Sequence, residues 1–321
     1  SAASDVYKRQ DLDLDGRHGY LAVDGCAADV LDIESGERRP STLEDLARAS
    51  RLADALPEIS LLLQPVAARD VPQHTKPLYE LHAQFANSTK HLQMMTAVSP
   101  EAARGVVEIA QLVAGGGDAL RRHPILSAFQ CSLSPLAYDE GALEAALVFA
   151  EAGVPCGFVV MPIAGATAPT TVAGALVQTN AEVLAGITVL QTFTPSAPTF
   201  YGACTTVMDL RTGDAACGGP EDLFFQMACA QLARHYRIPS SLGTFAPGAK
   251  SADWQAGLEN GLSAFASWSA GADILQGAGL LHGASLFALE EMVLDCEAFS
   301  LLRHLSGIPD AVADADDTVA I

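Results

Sequence analysis

Basic residues are scarce in this chain: 18 Lys and Arg stand against 38 Asp and Glu, a formal charge of −20 over 321 residues. Phosphate backbones are bound by clustered Lys and Arg, so this balance argues against a nucleic-acid partner. It leaves either a solvated acidic surface or a weak attraction for cations such as methylated ammonium compounds. Long hydrophobic runs are also missing. The longest candidate, 173–189, is broken by Gln178, Asn180 and Glu182 and falls short of the roughly 18–20 apolar residues that cross a bilayer. It reads as a buried helix, and no membrane association is expected. The seven cysteines, at 26, 131, 156, 204, 217, 229 and 296, are odd in number and contain no C-x-x-C pair. That pattern points away from a disulfide framework and toward a reducing cytoplasm. There is no G-x-S-x-G elbow, and Gly115-Gly116-Gly117 lacks the Lys-Ser/Thr of a phosphate-binding loop. No tight Cys/His spacing supports a metal site. Cys131 and Cys204 near strand ends keep a zinc-dependent barrel enzyme as an alternative, against the simpler reading of buried apolar cysteine.

Half of the residues are hydrophobic, with Ala and Gly abundant, which fits closely packed helices and strands. The opening ten residues lack an initiator Met and read as an adaptor-like, non-native leader; the C-terminus stops without a closing element, so both ends read as cut. Residues 11–57 read as a small hairpin, built from Tyr20-Leu21-Ala22-Val23 and Val30-Leu31-Asp32-Ile33, followed by a helix capped by Ser41 or Thr42. From 58 to 321 the pattern repeats. Short apolar runs at 60–64, 91–96, 125–131, 156–161, 199–204, 242–245 and 273–276 read as strands. Helical stretches near 75–87, 99–114, 139–152, 170–190, 220–236, 253–270 and 285–303 separate them, two of them opened by Pro100 and Pro220. Seven strands alternating with helices require parallel pairing, in a doubly wound sheet or a closed barrel. Seven visible units, with one strand missed or lost, favour a (β/α)8 barrel.

In such a barrel the chemistry sits at the C-terminal ends of the strands. The most distinctive candidate is the stretch 161–186, where a strand enters a Gly/Ala/Thr/Pro loop and leaves into an almost wholly apolar helix. Gln178 and Glu182 share one face of that helix. A carboxylate there needs a partner, so Glu182 either hydrogen-bonds neighbouring loops or a subunit interface, or acts near a substrate.

Five segments in order carry a resemblance. They are 31–40 (LDIESGERRP), 87–91 (NSTKH), 161–186, 207–213 (VMDLRTG), and 255–274 from Gln255-Ala256-Gly257 to Gly271-Ala272-Asp273-Ile274. Together they resemble the trimethylamine methyltransferase family over most of residues 17–300. The resemblance implies a (β/α)8 enzyme that moves a methyl group from a methylated amine to the Co(I) of a corrinoid (cobalamin) carried by a partner protein, with self-association expected. Members acting on trimethylamine carry pyrrolysine at the barrel mouth, and none occurs here; the corresponding region lies near 245–253. The chain therefore looks like the branch acting on glycine betaine and related quaternary amines, whose positive nitrogen makes the methyl directly displaceable. Another barrel enzyme, such as a lyase or a zinc-dependent methyltransferase, and a non-catalytic binder of methylated osmolytes are the alternatives.

Quaternary ammonium sites use aromatic faces. With aromatics at only 6% of the chain, those near strand ends are the candidates, Tyr201, Trp254 and Phe245 first. His91 and Gln276 are candidates to orient a substrate carboxylate, Glu182 to stand near the substrate, and Gly165, Thr167 and Lys250 to face the corrinoid.

Overall fold

The computed structural model describes residues 12–15 and 19–313, with side chains as far as 306. The leader read at residues 1–10 lies outside them. Eight parallel strands close into a barrel. In chain order they are β1 (Tyr20–Val23), β4 (Ile59–Leu62), β5 (His91–Met94), β6 (Leu126–Cys131), β7 (Cys156–Val160), β9 (Tyr201–Ala203), β11 (Ser240–Gly243) and β12 (Ile274–Gln276). Around them lie α1 (Leu43–Ala55), α2 (Lys76–Asn87), α3 (Pro100–Ala114), the short α4 (Gly117–Arg122), α5 (Glu140–Glu151), α6 (Val172–Phe193), α7 (Pro220–Tyr236), α8 (Trp254–Ser269) and α9 (Leu289–Ala313). The expected (β/α)8 architecture is present.

The N-terminal reading needs one correction. Tyr20–Val23 is not half of a hairpin: β1 pairs in parallel with β12 on one side and β4 on the other, and so closes the barrel. Its four residues are too short to reveal by pattern which partner they take. The second run does form a hairpin, β2 (Asp29–Leu31) with β3 (Arg38–Pro40), and β2 pairs in turn with β14 (Leu286–Phe287) of the β13 (Leu280–Leu281)–β14 hairpin. A boundary at residue 57 therefore cuts through the barrel, since β1 belongs to it.

Local signals set the helix ends. Ser99 caps α3 by accepting from the Ala102 N–H, Pro100 occupies its first turn, and Gly115 closes it at φ 87°. Thr171 caps α6 through the Gly174 N–H. By length and composition α6 is apolar enough to span a membrane; here one face, including Val183, Ile187 and Leu190, is buried on the barrel wall.

Side-chain alternation along each strand divides the core into two layers. Outward-facing Leu21, Leu92, Phe158, Tyr201, Leu242 and Leu275 pack under the helices. Inward-facing Ala22, Leu61, Phe129, Val159, Phe200 and Ile274 fill the barrel itself. The accessory sheets stand at the C-terminal ends of the strands: β2, β3, β13 and β14 follow β1 and β12, while β8 (Ile163–Ala164) pairs with β10 (Thr206–Val207) in the loops after β7 and β9.

Candidate functional site

A cavity of about 200 Å³ opens among these loops, at the end of the barrel where the strands finish. Phe129 and Val159 form its floor, Met95, Met161 and the thiols of Cys131, Cys204 and Cys217 its walls, and Leu280, Gly283 and Ala284 one flank. Two glycines keep it in shape. Gly25 (φ 127°) would drive a Cβ to 2.4 Å from Leu280 Cδ2, and Gly277 (φ 114°) would drive one to 2.2 Å from the Phe245 carbonyl oxygen.

Within this apolar lining sit a few buried polar groups. Asp24, the residue after β1, is 9% exposed, and its Oδ1 has no hydrogen-bond partner. Burial raises its carboxyl to about 7, with the Gly25 N–H pulling the other way. Asp222 of α7 accepts from the Gly218 N–H (2.9 Å) and from Gln226 Nε2 (3.2 Å). Burial lifts it to about 6. The Gln226 and Gln276 side-chain carbonyls, both buried, lack partners as Asp24 Oδ1 does. Gln276 Nε2 donates to Gln93 Oε1 at 3.2 Å, and Gln93 Nε2 to Ser127 Oγ at 3.1 Å. Burial pushes the Cys217 thiol up to about 12 and raises Cys204 well above its ordinary value, while Cys131 is exposed at the end of β6. Among the described residues, no three His, Cys, Asp or Glu side chains converge in a metal-holding group.

The residues singled out in the sequence fall in several places. Gln276 lines the cavity. Tyr201 is fully buried but on the outward face of β9, where it packs beneath the helices; its neighbour Gly202 has the inward parity. Phe245 is likewise buried in the layer between barrel and helices. Trp254 is 79% exposed at the start of α8, on the same end of the barrel as the mouth but not in the cavity wall. His91 begins β5 and so lies at the opposite, closed end, where its Nε2 meets Ser127 Oγ at 2.9 Å and burial lowers it to about 4.

Glu182 is saturated. Its carboxylate accepts from Ser132 Oγ (2.5 Å), Ser134 Oγ (2.7 Å), the Leu136 N–H (2.9 Å) and Gln178 Nε2 (2.9 Å). Burial alone would raise it, but these donors hold it below its ordinary range. It pins the loop after β6 to α6. Thr167 braces the next loop by accepting from the Ile163 N–H through its hydroxyl and from Gln178 Nε2 through its carbonyl, with Gly165 at φ 90° beside it. Lys250 is exposed in the loop between β11 and α8. Asp24 and Asp222 were not among the candidates. Asp24 was readable in principle: with Tyr20–Val23 taken as a barrel strand, it falls at the C-terminal end where chemistry concentrates.

The model of the trimethylamine methyltransferase (MTTB) family matches residues 6–320. The chain is 36% identical over 291 residues to the glycine betaine methyltransferase of Desulfitobacterium hafniense strain Y51, covering 90% of this chain and 60% of that protein. It is 32% identical over 316 residues to the trimethylamine methyltransferase MttB of strain DCB-2, covering 98% and 62%. With the Methanosarcina barkeri MttB the identity is 34%, over 84% of this chain and 55% of the relative. The chain thus spans less than two thirds of the length of the relatives it matches. Among solved structures, the hydroxylamine complex of MtmB superposes with a TM-score of 0.57 at 14% identity, over 94% of this chain and 65% of that one. A dihydropteroate synthetase superposes at 0.53 and 13%, over 93% and 97%. These two likenesses speak for the fold.

Proposed function

The chain belongs to the trimethylamine methyltransferase (MTTB) family, and from that premise we propose that it takes a methyl group from a small methylated ammonium compound for delivery to a corrinoid held by a partner protein. The observation that carries the reading is Asp24: a buried carboxylate with an unpartnered oxygen, set in an otherwise largely apolar cavity at the barrel mouth. An isolated buried carboxylate is costly unless a cation completes it, and a methylated ammonium brings the charge together with methyl groups for the apolar wall.

The size of the cavity bears on the corrinoid. About 200 Å³ suits a small amine and lies below the ~300–1,000 Å³ usual for larger ligands. A corrin macrocycle stays outside, and the rim is where a carrier protein docks. Trp254, Lys250 and the loop of Gly165 and Thr167 stand on that side and are the contacts we assign to it. The group supplies, when presented in its Co(I) form, the nucleophile that accepts the methyl.

What this chain contributes is binding, orientation and exclusion of water. Asp24 opposes the positive nitrogen, Phe129 and the two methionines surround the methyls, and the thiols complete a wall that offers no competing nucleophile while protonated. A quaternary nitrogen leaves as a neutral amine when its methyl departs, so no proton has to be delivered. The absence of pyrrolysine from the sequence fits a substrate of that kind. All seven cysteines are free, and the reading keeps the cytoplasm as the compartment and a second copy of the chain as a partner.

The test is to mix the protein with reduced Co(I) cobalamin and a panel of quaternary and tertiary methylamines, and to follow methylcobalamin by its absorbance. Methylation dependent on one of the amines supports the reading. No transfer from any of them, by a chain shown to bind them, sinks it.

A further inference from the structure

The unpartnered polar atoms of the cavity are all of one kind. Asp24 Oδ1, Gln226 Oε1 and Gln276 Oε1 are oxygens, each on a side chain at least nine-tenths buried. Several donors of the lining are engaged within the protein. Gln276 Nε2 is given to Gln93, Gln226 Nε2 to Asp222, and the Ser132 hydroxyl to Glu182. The Gly277 and Gly283 N–H groups donate to the Ala22 and Pro247 carbonyls. Among the described residues that line the cavity there is no Lys, Arg or His; there are two carboxylates and three weakly donating thiols.

Such a lining welcomes a cation and repels an anion. The carboxylate of a betaine would meet two acidic side chains and two amide oxygens, with no charge to oppose it. Specificity built by denying a partner to the wrong ligand is as effective as adding contacts to the right one. We propose that the cavity selects methylated ammonium cations that carry no carboxylate, with Asp24 as the residue that sets this preference, and that it rejects zwitterionic betaines. This rests on the methylated-amine reading above, and it sets the chain apart from the relative named for glycine betaine, 36% identical to it.

The experiment is calorimetric titration of the protein, at neutral pH and without any corrinoid, with four probes. These are tetramethylammonium, choline, the uncharged choline isostere 3,3-dimethylbutan-1-ol, and glycine betaine. Choline and tetramethylammonium are expected to bind at least ten-fold more tightly than the isostere and glycine betaine. Asp24→Asn, of the same shape, should bring choline down to the affinity of the isostere. Glycine betaine binding as well as choline, or an unchanged choline affinity in a folded Asp24→Asn, overturns the proposal. Should that variant not fold, the comparison of choline with its isostere on the unaltered chain still decides, and equal affinities overturn it. Betaine binding with betaine-dependent methyl transfer would overturn the preference while leaving the methyltransferase reading standing. Failure of all four probes to bind overturns the preference, and the methyl-transfer test on the full amine panel then decides the methyltransferase reading.

Discussion

Gln276 at the mouth and His91 at the closed end are joined by one hydrogen-bonded line through the barrel, Gln276–Gln93–Ser127–His91. Its polarity is fixed at the far end. His91 bonds the Pro124 backbone, and because proline has no N–H, that partner is a carbonyl and His91 is the donor. A neutral His91 must then accept from Ser127 through Nε2, so Ser127 Oγ accepts from Gln93. Gln93 in turn takes the Gln276 amide, and the Gln276 carbonyl is left facing the cavity. Ser127→Ala breaks the line in the middle. Urea unfolding should show a loss of about 1–3 kcal/mol from the orphaned amide, and cation affinity should weaken because the Gln276 amide is free to turn. Unchanged values for both would mean that the line orients nothing.

Stability should fall as pH rises through neutrality. Burial raises Asp24 to about 7 and Asp222 to about 6, and Glu291, which shares Asn260 with the buried Asp295, to about 7. Each carboxyl holds its proton more tightly folded than unfolded, so its stabilisation is complete below about pH 4 and is lost as pH climbs through 6–7. Glu182 and Asp45, held below their ordinary range, act in the opposite sense only in acid, and His91, lowered to about 4, opposes the trend between about pH 4 and 6.5 without outweighing the three carboxyls together. Thermal denaturation should give its highest Tm near pH 5, several degrees above that at pH 8. Asp24→Asn should flatten part of this slope.

Cation binding should move the other way. Asp24 opposes a cation only when ionised, and the groups facing it across the cavity are Asp222 and the thiols of Cys131, Cys204 and Cys217. Choline affinity should therefore increase between pH 6 and 8, with proton release on binding seen in buffers of different ionisation enthalpy. A flat profile would remove Asp24 from the site.

Glu182→Ala should be costly although Glu182 does not reach the cavity lining. It leaves four donors without their acceptor, including the Leu136 N–H and Gln178 Nε2. A destabilisation of about 2–4 kcal/mol is expected, together with faster proteolysis in the loop 132–138. Trp254→Ala, at an exposed position, should change stability by less than about 0.5 kcal/mol and leave choline affinity unchanged.

Much of the architecture was legible in the sequence, because each of seven strands lies between helices, most of whose starts are marked by Pro, Ser, Thr or Asp. The eighth strand was visible as an apolar run but not as part of the barrel: its partners, Ile59 and Ile274 among them, are remote in sequence. That one misplacement hid Asp24. The aromatic candidates show a different limit. Tyr201 opens β9 instead of closing it, and with a period of two the neighbouring residue owns the interior; a three-residue strand gives too little pattern to fix either its bounds or its parity. Glu182 was legible as a carboxylate needing partners; that the partners are one loop of the rim depended on the tertiary fold.

The closure of the barrel by β1 also has a consequence in time. The strand that precedes Asp24 is synthesised well before β12, near the other end of the described chain, and both its edges are paired only once β12 is present. Contacts of such long sequence separation form late, after the local βα units have been assembled. The carboxylate at the mouth is thus positioned by one of the longest-range pairings of the barrel, and its placement depends on closure of the whole ring.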